Sequence, residues 1–166
     1  MYGKSTENAI AAMSRLAEVW DGGKTLLSAS QIAENRNLQK PFVSKILSNL
    51  AQAGLVQGTR GPGGGFKLSK DPVDISLHDV YLVFERENES SNCPFGGGVC
   101  GVGEPCVLHD RLVEMQDAKR TFLEVTNFDQ FRIAFQEHGH RPAVNVESPE
   151  DSRKSYRARE THSSLE

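Results

Sequence analysis

The sequence predicts a mainly α-helical fold with one small β-hairpin, and three observations point to it. Apolar residues recur at helical spacing over residues 6–20, 29–34 and 41–53. Two short runs, 55–59 and 65–68, flank a glycine-rich loop and read as paired strands. Apolar residues recur at helical spacing again over residues 107–125, which predicts one long helix in the second half of the chain.

The first helix is expected over residues 6–20. Ile10, Met13, Ala17 and Trp20 recur at intervals of three or four residues, so they form a stripe that can be buried. A pair of glycines follows Asp21 and ends the helix.

Two further helices follow closely. Ser28 and Gln31 have the spacing of a capping box, which opens a short helix. Pro41 opens the next one, because its missing N–H costs nothing at the first helical position, and Gly54 ends it. The apolar residues of this third helix share one face: Val43, Ile46, Leu47 and Leu50.

The order helix, turn, helix, hairpin predicts a winged helix-turn-helix domain over residues 1–84, closed by a short helix that Ser76 and Asp79 cap. The second helix of such a pair can enter the major groove, and Arg60 on a glycine-rich tip suits a narrow minor groove. The alternative is a helix pair used only for packing. The candidate DNA-contacting residues are Ser28, Gln39, Lys40, Pro41, Ser44, Lys45, Arg60, Gly61, Gly63 and Gly64.

The charge distribution favours an anionic partner for the N-terminal part. Residues 1–70 hold nine Lys and Arg against four Asp and Glu, a balance of +5. Residues 71–166 hold ten against eighteen, a balance of −8, and the sum is the net charge of −3. A basic part of an acidic chain indicates nucleic acid as the partner, although chance clustering explains a difference of this size equally well.

All three cysteines lie in the glycine-rich segment 85–106 and have the spacing C-x6-C-x5-C-x2-H, with Cys93, Cys100, Cys106 and His109 in order. Crowded thiolates in a reducing compartment are typical of metal ligands or redox thiols. Zinc loops commonly use paired C-x2-C knuckles, which this segment lacks, and a disulfide switch needs only two of the three. The residues alone therefore indicate a metal centre, and a zinc site and a thiol switch stay open as alternatives.

Four stretches resemble the IscR/NsrR-type (Rrf) family of bacterial winged-helix repressors: Leu27–Ala33, Val43–Leu47, Leu50–Val56 and Arg60–Phe66. The last of them, Arg-Gly-Pro-Gly-Gly-Gly-Phe, is the most specific, and the resemblance covers about residues 1–134. It implies a homodimer that binds a partly palindromic operator in double-stranded DNA and holds one iron–sulfur cluster on each subunit.

The resemblance also implies the cluster ligands. Members like IscR use three cysteines and a histidine for a [2Fe–2S] cluster, which favours His109 as the fourth ligand here. Members like NsrR take a carboxylate from the first helix of the partner for a [4Fe–4S] cluster, and the matching residue here is Asn8. Glu7 and Asp110 stay open as ligands. The six-residue first gap leaves a [4Fe–4S] cluster possible.

The remaining expectations concern the second half of the chain and its location. Residues 107–134 are expected to form a dimerisation helix and a C-terminal helical segment, and residues 135–166 a disordered tail. The alternative for the helix over residues 107–125 is that it packs back on its own domain. No apolar run is long enough to span a membrane and no secretory core is present, which predicts a cytoplasmic protein. No phosphate-binding loop or nucleotide fingerprint occurs, so we expect a regulator and not an enzyme.

Overall fold

The computed structural model describes residues 3–85, 93, 95, 98–99 and 102–139. Its helices and strands follow the predicted order. In chain order they are α1 (Lys4–Glu18), α2 (Ala29–Asn35), α3 (Lys40–Gln52), β1 (Val56–Thr59), β2 (Gly65–Leu68), a 3-10 turn (Pro72–Asp74), α4 (Leu77–Phe84), α5 (His109–Val125) and α6 (Asp129–His138). The mainly helical fold with a small two-stranded sheet is therefore confirmed.

The core lies among the first four helices, where α1 packs against α2, α3 and α4. All four apolar residues predicted for the inner face of α3 are buried. On α1, Met13 and Ala17 are fully buried, whereas Ile10 and Trp20 are half-buried at the edge of the core. Trp20 lies beyond the end of α1 because the helix stops at Glu18, two residues earlier than expected.

The hairpin is antiparallel, with Val56 opposite Leu68 and Thr59 opposite Gly65. Leu27 forms an isolated antiparallel bridge with β2, in which it exchanges two backbone hydrogen bonds with Phe66 (3.0 and 2.8 Å). Gly65 is required there, because a Cβ atom at that position would lie 2.8 Å from the carbonyl carbon and oxygen of Leu27. The base of the hairpin is thus anchored to the chain just before α2.

A short backbone strap ties the end of α5 to the start of α4. Leu77 N donates to Thr126 O (2.8 Å), and Phe128 N donates to Ile75 O (2.9 Å). The Phe128 side chain is fully buried beneath this pairing. The strap therefore fixes where α5 ends and where α6 begins relative to the core.

Several boundaries and one short element differ from the sequence expectations. The 3-10 turn was not predicted, and α5 begins at His109 and not at Val107. The boundary expected at residue 135 is wrong, because α6 continues to His138. The reason is tertiary: the Arg15 guanidinium of α1 lies over the Phe135 ring, 5.7 Å from its centroid, and so holds this turn against the core. Residues 140–166 lie outside the described residues.

Within the part of the chain that the structure describes, the helices are too short or too polar to cross a membrane.

Candidate DNA-binding face and cysteine segment

The outer face of α3 is polar and carries positive charge. Lys40, Pro41 and Lys45 are exposed, and Gln39 is exposed at the N-cap, where its side chain makes no capping hydrogen bond. Ser44 is half-buried, and its hydroxyl donates to Lys40 O (3.1 Å). The two lysines and the Gln39 amide are consequently the groups of this face that can reach another molecule.

The N-terminus of α2 has the predicted capping box. Gln31 N donates to Ser28 Oγ (3.2 Å), and Ser28 N donates to Gln31 Oε1 (2.8 Å). The two hydrogen bonds pair the backbone N–H groups of Ser28 and Gln31 and fix the start of α2. The Ser28 hydroxyl hydrogen is not used in this pair, so it is available to a phosphate oxygen.

The hairpin tip owes its shape to its glycines. Gly61 and Gly63 adopt φ angles of 100° and 76°, which residues with a side chain rarely adopt. A Cβ atom on Gly64 would lie 2.2 Å from Thr59 O. Arg60 is exposed at the start of this tip. The tip therefore offers bare backbone and one guanidinium, as the sequence predicts.

The structure describes two of the three cysteines, and Cys100 lies outside the described residues. Cys93 and Cys106 are half-buried. Cys93 N donates to Gly98 O (2.6 Å). His109 N donates to Cys106 O (3.0 Å), so the two candidate ligands are joined by one turn at the start of α5.

The donor set fits an iron–sulfur cluster in its chemistry, since thiols and an imidazole from one short segment are the ligand types such clusters use. Among the described residues, which do not include Cys100, no three His, Cys, Asp or Glu side chains approach closely enough to hold a metal ion. His109 and Asp110 both line an open groove of about 460 Å³ along the first turns of α5. Glu7, the other residue left open as a ligand, is paired with Lys4 (3.0 Å). Asn8, at the position where members like NsrR have a carboxylate, is buried.

The role of Glu85, the first residue of the cysteine segment, was not predicted from the sequence. Its carboxylate accepts hydrogen bonds from Gly3 N (2.6 Å) and from the Thr6 hydroxyl. These two bonds, helped by the positive charge of Lys119, lower the pKa of Glu85 from its usual 4.5, with the Thr6 bond the largest cause. The contact joins residues about eighty positions apart, and no local pattern signals it.

The surface of α5 is unusual for a helix of this length. Leu123 is its one buried residue, whereas Met115 is 62% exposed and Phe122 is 47% exposed. The helix contacts α4 of its own chain. A large part of its apolar surface is therefore left uncovered by the described residues.

Comparisons with known proteins agree with this geometry. The model of the Rrf2 family, described as an iron-dependent transcriptional regulator, matches residues 2–132. The HTH-type transcriptional regulator IscR of Escherichia coli K12 is 27% identical over 139 residues, which are 80% of this chain and 84% of the relative.

Solved structures share the fold. CymR, titled the global cysteine regulator of B. subtilis, superposes with a TM-score of 0.64 at 26% identity, over 80% of this chain and 96% of that one. IscR of T. potens superposes with a TM-score of 0.66 at 22% identity, over 85% of this chain and 93% of that one. The oxidized form of Staphylococcus aureus CymR has a TM-score of 0.62 at 25% identity, over 80% and 95% of the two chains. Since the family model spans most of the sequence, this chain belongs to the Rrf2 family of transcriptional regulators and is not an enzyme.

Proposed function

We propose that this chain is a homodimeric, cytoplasmic repressor whose affinity for its operator is set by an iron–sulfur cluster on each subunit. Cys93, Cys100, Cys106 and His109 are the proposed ligands, and a [2Fe–2S] cluster is favoured over [4Fe–4S]. The observation that carries the proposal is the link between Cys106 and His109, which one backbone hydrogen bond (3.0 Å) holds at the start of α5.

The chain's own residues explain how this segment can act on DNA binding. Glu85 holds the start of the segment to α1 through Gly3 and Thr6, and α5 begins shortly after the segment ends. The end of α5 is tied to the start of α4 through Thr126 and Leu77. A bound cluster would supply a centre whose loss or oxidation changes the charge and the ligands of the segment. Any rearrangement of the segment thus acts on α1, α4 and α5 together.

The dimer is proposed from the surface of α5. Exposed apolar side chains on one helix mark a protein interface when they are contiguous. Residues 109–117 of α5 carry Asp110, Glu114 and Asp117 against Arg111, a balance of −2, and residues 118–125 carry Lys119 and Arg120 against Glu124, a balance of +1. Lys119 also lies over the Tyr81 ring of its own chain (5.0 Å), which leaves Arg120 as the basic group most available to a second copy. Two copies that cross in opposite directions would place acidic and basic halves together and cover Met115 and Phe122. Such a dimer would present two copies of α3 to a palindromic site.

The ligand claim is tested by anaerobic purification followed by iron and sulfide analysis and a visible absorption spectrum. We expect iron, sulfide and colour in the wild type, and loss of all three when any one of Cys93, Cys100 or Cys106 is replaced by Ala. His109→Ala should lose the cluster or shift its spectrum, whereas His138→Ala, a histidine of α6, is the matched control and should keep it. A colourless wild type free of iron, or a coloured triple cysteine variant, contradicts the proposal.

DNA contact is tested with a duplex that the wild-type protein selects from a random-sequence pool. Arg60→Ala and Lys45→Ala should weaken binding, each by about 1–3 kcal/mol if the side chain contacts a base, and less at high salt. Lys70→Ala removes the same charge from an exposed residue outside the predicted face and serves as the control. Equal affinities for the Arg60, Lys70 and wild-type proteins at matched salt would refute the wing assignment.

A second candidate is a metal-free regulator that responds through its thiols. The likeness to CymR, including a structure of an oxidized form, favours it. This alternative predicts metal-free protein whose affinity for the selected duplex changes on mild oxidation and returns on reduction. Iron and sulfide analysis of the anaerobic protein separates the two candidates directly.

A further inference from the structure

We infer that Arg36, in the turn between α2 and α3, is a positioning residue for operator binding, which holds α3 at its angle to α1 without contacting DNA. The inference rests on the proposed function, in which α3 reads the operator. It concerns a side chain outside the predicted DNA-contacting set and outside the cysteine segment.

The Arg36 guanidinium is hydrogen-bonded on three sides and is 15% exposed. Its Nε donates to Ala11 O (3.1 Å), a backbone carbonyl in the middle of α1. Its Nη2 donates to Ser14 Oγ (3.0 Å) and to Glu18 Oε1 (2.6 Å), also on α1. Its Nη1 donates to Asn35 Oδ1 (3.1 Å) within the turn. One side chain therefore fastens the turn to three successive turns of α1.

This set of bonds requires a guanidinium and not merely a positive charge. The planar fork points its donors in fixed directions, so it can bind a carbonyl, a hydroxyl and a carboxylate at once. A lysine ammonium at the same place carries the charge but lacks the fork. Replacing Arg36 by Lys therefore keeps the positive charge and removes the directed hydrogen bonds of the guanidinium.

The turn is short, so a displacement of Arg36 reaches α3 directly. Asn37 adopts a φ of 51°, and Leu38 N donates to Ala33 O (2.8 Å). The backbone is therefore tightly constrained up to Gln39, the N-cap residue of α3. Arg36 points toward α1, whereas Lys40 and Lys45 are exposed. The geometry therefore favours positioning of the lysines over direct contact with a phosphate.

The Glu18 carboxylate, which binds Arg36, is also connected to the C-terminal helix α6. Glu18 Oε2 accepts from Arg15 Nη1 (2.9 Å), and the Arg15 guanidinium lies over the Phe135 ring of α6. Helix α6 begins at the strap that follows α5. The network thus joins the turn before α3 to α6, the helix that follows the proposed dimer helix α5.

The test compares Arg36→Gln, Arg36→Lys and Glu18→Gln with the wild type on two duplexes, the selected one and a scrambled one of equal composition. We expect both Arg36 variants to bind the selected duplex about tenfold more weakly and the scrambled duplex within about twofold of wild type, because phosphate contacts do not need the correct helix angle. The salt dependence should stay unchanged. Partial unfolding would lower both affinities equally, and circular dichroism at the binding temperature measures it.

Two results would overturn the inference. One is wild-type affinity of Arg36→Gln for the selected duplex. The other is full affinity of Arg36→Lys together with a loss in Arg36→Gln that flattens the salt slope by about one, which is the signature of a phosphate contact. If Arg36→Gln fails to fold, Glu18→Gln breaks the same ion pair from α1 and must show the same selective loss.

Lys45→Ala in the same series distinguishes failure of the inference from failure of the proposed function. If Lys45→Ala leaves the affinity for the selected duplex unchanged, α3 does not read DNA and the proposed function fails. If Lys45→Ala weakens binding while the Arg36 and Glu18 variants do not, only the role of Arg36 is refuted.

Discussion

The N-terminal region, residues 3–85, and the later region, residues 102–139, bury their apolar residues very differently. Nearly all of the apolar core comes from the N-terminal region, and Leu123 and Phe128 are the members that the described later region supplies. The large exposed apolar residues show the opposite distribution, since most of them follow residue 85. The N-terminal region thus supplies most of the core, whereas the later region leaves apolar side chains exposed among the described residues.

The largest expected effect is on the core of the N-terminal region. Leu47 on α3 is fully buried, so Leu47→Ala removes buried methyl groups and leaves a cavity. We expect the free energy of unfolding to fall by about 2–5 kcal/mol, as measured by chemical denaturation. A loss below about 1 kcal/mol would mean that α3 is not packed as described.

A smaller loss is expected where the hairpin joins the core. In Gly65→Ala the new methyl group would meet the Leu27 backbone at 2.8 Å, so the edge pairing must open at a cost of about 1–3 kcal/mol. Gly58→Ala is the control in the same hairpin, because its Cβ would meet only the Phe66 side chain, at 3.2 Å. Thermal unfolding should rank Gly65→Ala well below Gly58→Ala, and the reverse order would contradict the described pairing.

On the later region, substitution should affect association more than folding. Met115→Glu places a charge on the exposed apolar side of α5, and we expect it to weaken the dimer about tenfold while changing the stability of the isolated subunit by less than about 0.5 kcal/mol. Gln116→Glu adds the same charge at the next exposed position of α5 and is the matched control. Sedimentation at a series of concentrations measures the dissociation constants, and equal values for the two variants would place the interface elsewhere.

Local sequence signals predicted the N-terminal region well. The spacing of Val43, Ile46, Leu47 and Leu50 identified the buried face of α3, and capping-box spacing identified the start of α2 and of α4. These signals work because each arises within one element, from side chains a few residues apart. The glycine-rich tip of the hairpin could also be predicted, since the turn depends on the backbone conformation of its glycines.

The contacts that join distant elements could not be read from the sequence. Arg36 lies in a polar turn, and nothing near it indicates bonds to Ala11, Ser14 and Glu18. The extension of α6 past residue 135 has the same origin, because Phe135 is held by Arg15 of α1. For the candidate cluster site, the sequence supplied the ligand types and spacing, and these remain predictions.

The smallest expected effect concerns the end of the N-terminal region, where the Glu85 carboxylate accepts hydrogen bonds from Gly3 and Thr6. These bonds hold the pKa of Glu85 below its usual 4.5, so the ionised carboxylate is favoured in the folded state. The stabilisation is complete above the pKa of the unfolded chain and is lost as the pH falls through the lower pKa of the folded protein. Stability should therefore decline on acidification below about pH 4.5, in part because Glu85 takes up a proton.

Glu85→Gln tests this contribution, because glutamine keeps the acceptor oxygen but cannot titrate. We expect the variant to be slightly less stable than wild type near neutral pH and the difference to shrink as the pH falls from about 6 to about 3. Asp21, whose pKa is also lowered by hydrogen bonds to Thr25 and Lys24, is present in both proteins and cancels in the difference. Denaturation curves at several pH values measure the difference, and a constant gap would show that the carboxylate charge of Glu85 does not stabilise the junction between α1 and the cysteine segment.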